Sequence, residues 1–322
     1  MSSVAPVKTD YETVTEGCGL FDRSERGKLA LSGPEAATFL QGQVSNDVEA
    51  ISPGSGCYAA FLTPKGKMLG DARILATDDE LLLDTERSTL QALFNMVHRS
   101  LVGFRAELHK RTLERALVSL VGPQSASVAG LPALDGAPEH AHVDATLGGV
   151  TARAIRTDVG IDLLCPSDDL GAIQAALRDL GARDVAEEAV ECLRVESGRP
   201  RYGIDLDETV IPEEAGLNER AVSFTKGCYV GQETVARLHW RGKPNRHLRG
   251  LRLSGPAGSG DALLLGERPV GRLGSVAASP RFGPIALALV RREAEPGSEV
   301  TVGDPSAPAT VVELPFGGRS PR

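Results

Sequence analysis

The chain has 322 residues, 41% hydrophobic and 24% charged, with a net charge of −8; this is the make-up of a folded globular protein too long for one ordinary core, so two or three subdomains are expected. No run approaches the roughly 18 apolar residues of a membrane span, and Met1 to Asp10 has no apolar leader core, which predicts a cytoplasmic protein with no membrane partner. The five cysteines, at 18, 57, 165, 192 and 228, are odd in number, far apart and without a CxxC pair, which excludes a disulfide framework and a self-contained zinc or ferredoxin-type site.

In chain order, Lys28 to Ser32 reads as a strand, and Ser32-Gly33-Pro34-Glu35 places a cap before a proline-started helix ending near Gln43. Strands follow at Gly56 to Leu62, Lys67 to Ala76 and Glu80 to Asp84, the first two joined through Pro64-Lys65-Gly66. Apolar spacing at Leu90, Leu93, Phe94, Val97 and Leu101 predicts a core-facing helix. Two strands, Gly103 to His109 and Arg115 to Val121, close a first unit. Gly122 to Gly149 reads as a short helix plus a linker. A second unit has strands at Val150 to Arg156 and Gly160 to Cys165, a helix from Ser167 or Asp168 to Gly181, and another from Val185 to Ser197. From Arg246 the pattern is short strands between Gly/Pro turns: Leu248 to Leu253, Val270 to Val276, Ile285 to Val290, Glu299 to Val302 and Ala309 to Leu314. The tail therefore reads as a small β-barrel or sandwich.

The segment Lys226-Gly227-Cys228-Tyr229-Val230-Gly231-Gln232-Glu233 sets a lone thiol between two glycines and behind a lysine. Two glycines allow positive φ and close approach, so the segment reads as a shaped loop presenting Cys228. From Lys226 to Arg252 there are seven Lys/Arg and one acid, and nearby cations favour the thiolate, the form that attacks electrophiles or binds metal. An ordinary small hydrophobe in a turn fits equally well. The negative chain makes nonspecific nucleic-acid binding a poor default; only this basic segment keeps an anion or RNA contact open.

Glu196, in Leu193-Arg194-Val195-Glu196-Ser197-Gly198, is either a solvated helix residue or a fixed carboxylate that accepts paired N–H bonds from a flat heterocycle. Asn46-Asp47 reads as a turn or a site, and Lys65-Gly66-Lys67 as a hairpin tip. His239 and His247 flank Trp240 and several arginines without a third ligand at metal spacing, which favours surface or anion contacts over metal.

Together these segments resemble the YgfZ-type folate-binding proteins, relatives of the glycine-cleavage T-protein. The family hallmark K-G-C-Y-x-G-Q-E is matched by Lys226, Gly227, Cys228, Tyr229, Gly231, Gln232 and Glu233. Phe39 to Val48 is similar to the family's first helix and N-D turn, Pro64-Lys65-Gly66-Lys67 to its K-G-K hairpin, and Leu193 to Gly198 to its R-x-E-x-G segment. Two departures stand out. In place of the T-protein's G-G-x-x-D-D, the chain has Gly66-Lys67-Met68-Leu69-Gly70-Asp71, with Gly70 where the first acid belongs. Arg156 to Asp162 stands in place of its G-Y-T-G-E.

The resemblance implies an α+β fold: a three-subdomain ring of two mixed α/β units and a C-terminal β-barrel around a central folate channel, with domains 1–122, 123–245 and 246–322. It implies tetrahydrofolate or a derivative as cofactor, with Glu196, Arg194, Asn46, Asp47 and Asp71 as binding residues and no resident metal. The function it implies is a folate-binding accessory to iron–sulfur cluster assembly or repair rather than a classical enzyme, acting through Cys228. One thiol can hold a single iron corner transiently but cannot fill the four ligand positions of a cluster. Iron–sulfur client enzymes or cluster carriers would be the partners. The alternatives are a folate-dependent aminomethyl transferase, which would lack the acid at Gly70, and a direct tRNA-modification factor.

Overall fold

Between Met68 and Ala76 the side chains alternate: Gly70, Ala72 and Ile74 are small or apolar, Asp71 and Arg73 are charged. In a strand this assigns the two sets to opposite faces. The computed structural model, which describes residues 8–303 and 307–318, shows this segment as a strand buried almost throughout. Both of its faces are therefore covered.

The chain forms two compact units. One comprises 12–185 with 219–232; the other holds 8–11, 186–218 and the residues from 233 on. The first unit contains most of α1 (Lys8–Glu16), then β1 (Gly19–Asp22), β2 (Gly27–Ser32), α2 (Ala36–Gln43), β3 (Gly56–Leu62), β4 (Met68–Ala76), β5 (Glu80–Thr85), α3 (Leu90–Ser100), β6 (Glu107–Lys110) and β7 (Arg115–Val121). It continues through α4 (Ser125–Val128), β8 (His142–Leu147), β9 (Val150–Arg156), β10 (Gly160–Pro166), α5 (Leu170–Asp179) and β11 (Arg183–Asp184).

These strands make two sheets, ordered β3-β4-β5-β2-β6 and β11-β1-β7-β10-β9-β8. On the outer face of the first, Leu29, Leu31, Phe61, Ile74 and Leu83 pack under Phe39 and Leu40 of α2 and Leu93 and Val97 of α3. On the outer face of the second, Val118, Leu120, Ile161 and Leu163 pack under Ile173 and Leu177 of α5. Each such side chain contributes about 1.5–3 kcal/mol by leaving water. The inner faces mix charged residues with leucines such as Leu75, Leu82, Leu117 and Leu164, and meet through Arg73 of β4 and Asp162 of β10, 2.6 Å apart.

The second unit carries α6 (Glu187–Glu196), most of α8, and the strands of the tail. Short α7 (Asn218–Ala221) and α8 (Gln232–Arg241) lie at the junctions in sequence. The tail strands are β12 (Arg246–Leu253), β13 (Ala262–Leu265), β14 (Arg268–Ser279), β15 (Gly283–Arg291), β16 (Glu299–Val302) and β17 (Ala307–Val312), closed as a six-stranded barrel in the order β12-β15-β14-β13-β16-β17. Leu251, Leu263, Val290, Val302 and Val311 fill its core. Cys192 and Val195 of α6 pack with Tyr11, Leu248, Ile285, Leu287 and Phe316. The fold is thus α+β with a C-terminal barrel, as expected.

Several elements differ from the sequence expectation. The stretch read as a linker contains β8, an edge strand in which only His142 and Leu147 are buried, so it carries no alternation signal. Helix α8, absent from the sequence expectation, is mostly polar and buries only Val235. The strand expected from Gly103 begins at Glu107. Among the described residues no helix is long and apolar enough to cross a membrane. The first seven residues of the expected leaderless N-terminus, and residues 319–322 of the expected last domain, lie outside the described residues.

Candidate functional site

Register places Tyr58 opposite Arg73 and Ala60 opposite Asp71, so Tyr58, Asp71 and Arg73 share the inner face of the first sheet. Arg73 in turn lies opposite Asp84. The Tyr58 hydroxyl donates to the buried Asp71 carboxylate. Burial raises the Asp71 pKa to about 6, against the opposing pull of the Tyr58 hydrogen bond and of Arg26. Tyr58 itself is driven well above the ordinary phenol range by burial and by Asp71.

Behind this pair lies an ion network. Arg73 meets Asp84 at 2.8 Å and Asp162 at 2.6 Å, and Arg26 meets Asp84 at 2.6 Å and Glu86 at 2.5 Å. Burial alone would raise the Asp84 carboxyl, but Arg26 and Arg73 more than offset it and hold the pKa at about 2. Such a network adds little net stability over apolar packing, yet removing one member leaves a buried charge unpaired, so it fixes Arg73 beside Tyr58.

Residues far away in sequence converge on this face. Arg220 of α7 lies 5.1 Å over the Tyr58 ring and pairs with Glu139 at 2.5 Å. Asn46 donates from one amide nitrogen to the Tyr58 carbonyl (2.8 Å) and the Arg220 carbonyl (3.1 Å), joining the two backbones that carry the site. Asp47 accepts from Gln41 and from the Ala50 amide, which makes it a turn residue.

Gly70 bears on this face differently from what the sequence comparison suggested. A Cβ at residue 70 would lie 3.1 Å from Leu93 Cδ1 and 3.3 Å from Thr89 Cβ, inside the layer under α3. An acid at position 70 would therefore point away from Tyr58. Of positions 70 and 71, only 71 faces inward, and there the chain has the carboxyl of Asp71.

The Cys228 loop is held by its other motif residues. The buried Lys226 ammonium donates to the carbonyls of Gln41 (2.6 Å), Val44 (2.9 Å) and Asn46 (2.7 Å), closing the open C-terminal end of α2. All three of its N–H groups are thereby used. Burial lowers its pKa to about 8, and the thiol it acts on is that of Cys57, which burial nonetheless pushes up to about 12. The lysine thus anchors the loop. Tyr229 is buried. Gly231, at φ 86°, lies against the hairpin, where a Cβ would meet Thr63 O at 2.6 Å. Gln232 and Glu233 begin α8. Gly227 and Cys228 are exposed, whereas Cys57 is half-buried and Cys18, Cys165 and Cys192 are buried.

Arg194 and Glu196 belong to the other unit. Glu196 accepts from Tyr11 Oη at 2.9 and 3.0 Å and closely from Ser279, next to Cys192 Sγ at 3.5 Å. Burial, followed by the nearby Glu196, pushes the Cys192 thiol to about 12. Arg194 is engaged by Glu191, Asp205 and Ser275. His239 lies 3.5 Å from Glu213, and among the described residues no group of three His, Cys, Asp or Glu could hold a metal ion. Tyr58, Glu139 and Arg220 were missed by the sequence reading. Only the strand register and the return of 219–232 to the first unit bring them together.

The GCVT N-terminal domain model matches residues 2–226, and the glycine cleavage T-protein C-terminal barrel domain model matches 246–317. An aminomethyltransferase of Streptomyces coelicolor is 30% identical over 331 residues, covering 96% of this chain and 89% of that protein. One from Rubrobacter xylanophilus is 29% identical over 322 residues, covering 97% and 86%. The crystal structure of the glycine cleavage system aminomethyltransferase T from Bartonella henselae superposes with a TM-score of 0.83 at 25% identity, covering 96% and 88%.

Proposed function

The chain belongs to the glycine-cleavage T-protein family, and from that premise we propose that it is a cytoplasmic, tetrahydrofolate-dependent one-carbon transferase whose proton-handling group is Asp71. The observation that carries this is the buried Asp71 carboxyl with a pKa of about 6, hydrogen-bonded to Tyr58. A general acid or base works best when its pKa lies near the operating pH, and burial is how a carboxyl reaches that range.

The donors and acceptors on the inner face fit a folate ring. Asp71 offers an acceptor, Arg220 a planar cation and Tyr58 an aromatic surface, which suit a flat heterocycle with N–H and C=O groups on its edges. Bound tetrahydrofolate would supply the nitrogen that takes up the one-carbon unit. Asp71 then holds the proton exchanged in that transfer, Tyr58 keeps the carboxylate oriented, and Asn46 fixes the strand against the Arg220 segment. Arg194 and Glu196, which the family resemblance offers as folate contacts, already have partners within their own unit.

A second reading rests on a different observation. Lys226, Tyr229 and Gly231 all anchor the loop, and the Cys228 thiol is exposed on it. A held, exposed thiol supports the accessory function in iron–sulfur cluster assembly or repair, with Cys228 making a transient iron contact. Anaerobic titration with tetrahydrofolate, followed by an assay for aminomethyl or formaldehyde transfer, separates the two. Binding with transfer supports the first; binding without transfer puts the thiol function first; absence of binding overturns both.

A further inference from the structure

Among the described residues His140 is the one non-glycine with positive φ, at 73°. Its side chain is buried, with 9% of the residue exposed, and Nδ1 has no hydrogen-bond partner. Nε2 lies 3.7 Å from Glu139 Oε1, beyond hydrogen-bonding distance. Burial, then Arg73 and Arg220, push the imidazole pKa down to about 3, so the ring is neutral. Left-handed backbone is unfavourable for a histidine, and a buried unpaired ring nitrogen is unfavourable again. A glycine would relieve the first and remove the second.

The position of this residue gives both features a use. The His140 amide donates to Arg156 O at 2.9 Å, which pins the backbone. A Cβ on Gly56 would lie 3.1 Å from His140 Cβ, so the histidine rests over Gly56, two residues along the same face from Tyr58. Its neighbour Glu139 holds Arg220 over the Tyr58 ring. Arg73, opposite Tyr58, also has a buried Nε without a partner. Two unpaired buried nitrogens thus lie along this face, one on Arg73 opposite Tyr58 and one on His140 over Gly56.

We propose that His140 is a ligand-binding residue of the Tyr58–Asp71 site, its neutral imidazole pairing through Nδ1 with a polar edge of the bound folate ring; this rests on the folate reading given above. Strained and unsatisfied groups that a substitution could relieve are expected where they serve binding.

The test compares wild type, His140→Gly and His140→Asn in anaerobic titrations with tetrahydrofolate and in thermal unfolding without ligand. His140→Gly is expected to weaken binding roughly tenfold or more while its unfolding midpoint stays level or rises. His140→Asn, which tolerates left-handed backbone and keeps a polar tip, is expected to recover part of the affinity. Equal affinity in wild type and His140→Gly overturns the proposal. So does a His140→Gly variant that binds poorly and is also less stable, since that is the pattern of a structural residue. Failure of the wild type to bind tetrahydrofolate removes the folate reading itself, and this inference with it.

Discussion

Gly70 and Asp71 are adjacent in β4 yet face opposite sides of the sheet: residue 70 points at Leu93 and Thr89 under α3, and Asp71 points inward to Tyr58. The two acids of a D-D pair could not do the same job from this strand. Restoring the pair by Gly70→Asp should therefore add no activity. It should instead place a carboxylate in an apolar layer and lower the unfolding free energy by about 3 kcal/mol or more. Urea denaturation checks this, and an unchanged midpoint would contradict the facing of residue 70.

The raised Asp71 pKa has a definite pH signature. Its folded-state value, about 6, lies above the unfolded value near 4, so the folded state binds the proton more tightly. The resulting stabilisation is complete below about pH 4 and is lost as pH rises through about 6. Asp84, held at about 2, acts oppositely: its stabilisation is present above about pH 4 and lost on acidification below it. Asp71→Asn should thus become more stable than wild type as pH rises from about 4 to 7, by on the order of 2 kcal/mol. Urea midpoints across that range provide the check. A variant less stable than wild type at neutral pH would count against the shift.

How much of this was legible in the sequence depends on whether the determinant was local. The strands Gly56–Leu62, Arg115–Val121, Val150–Arg156 and Glu299–Val302 have the bounds the sequence predicts, because short apolar or β-branched runs and their flanking turns are local signals. The K-G-C-Y-x-G-Q-E motif and the T-protein resemblance were also legible. Helix α8 was not, since its ten residues carry few apolar side chains among charged ones and bury only Val235. The direction of Lys226 was hidden for another reason: the chain sets it beside Cys228, but the open carbonyls of α2, some 180 residues earlier, draw its ammonium inward. Arg220, Glu139 and His140 converge on Tyr58 only through sheet register and chain return.

Because Lys226 anchors the loop, Lys226→Ala should cost about 2–4 kcal/mol in unfolding free energy by leaving helix-end carbonyls without a donor. It should not slow the alkylation of Cys228. In the native wild type, iodoacetamide should modify Cys228 well before half-buried Cys57 or buried Cys18, Cys165 and Cys192, as peptide mass spectrometry would record. A marked slowing of Cys228 in Lys226→Ala would restore the direct electrostatic role.

The most direct measurement is single-turnover one-carbon transfer to tetrahydrofolate, followed from about pH 5 to 8 in wild type and Asp71→Asn, with folate affinity measured alongside. The wild-type rate should follow an apparent pKa near 6, the value at which Asp71 exchanges its proton. Asp71→Asn should lose about 10²–10⁴ in rate while folate affinity changes by no more than about tenfold. Transfer at the wild-type rate by Asp71→Asn, or a wild type that binds folate without transferring, would contradict Asp71 as the proton-handling group.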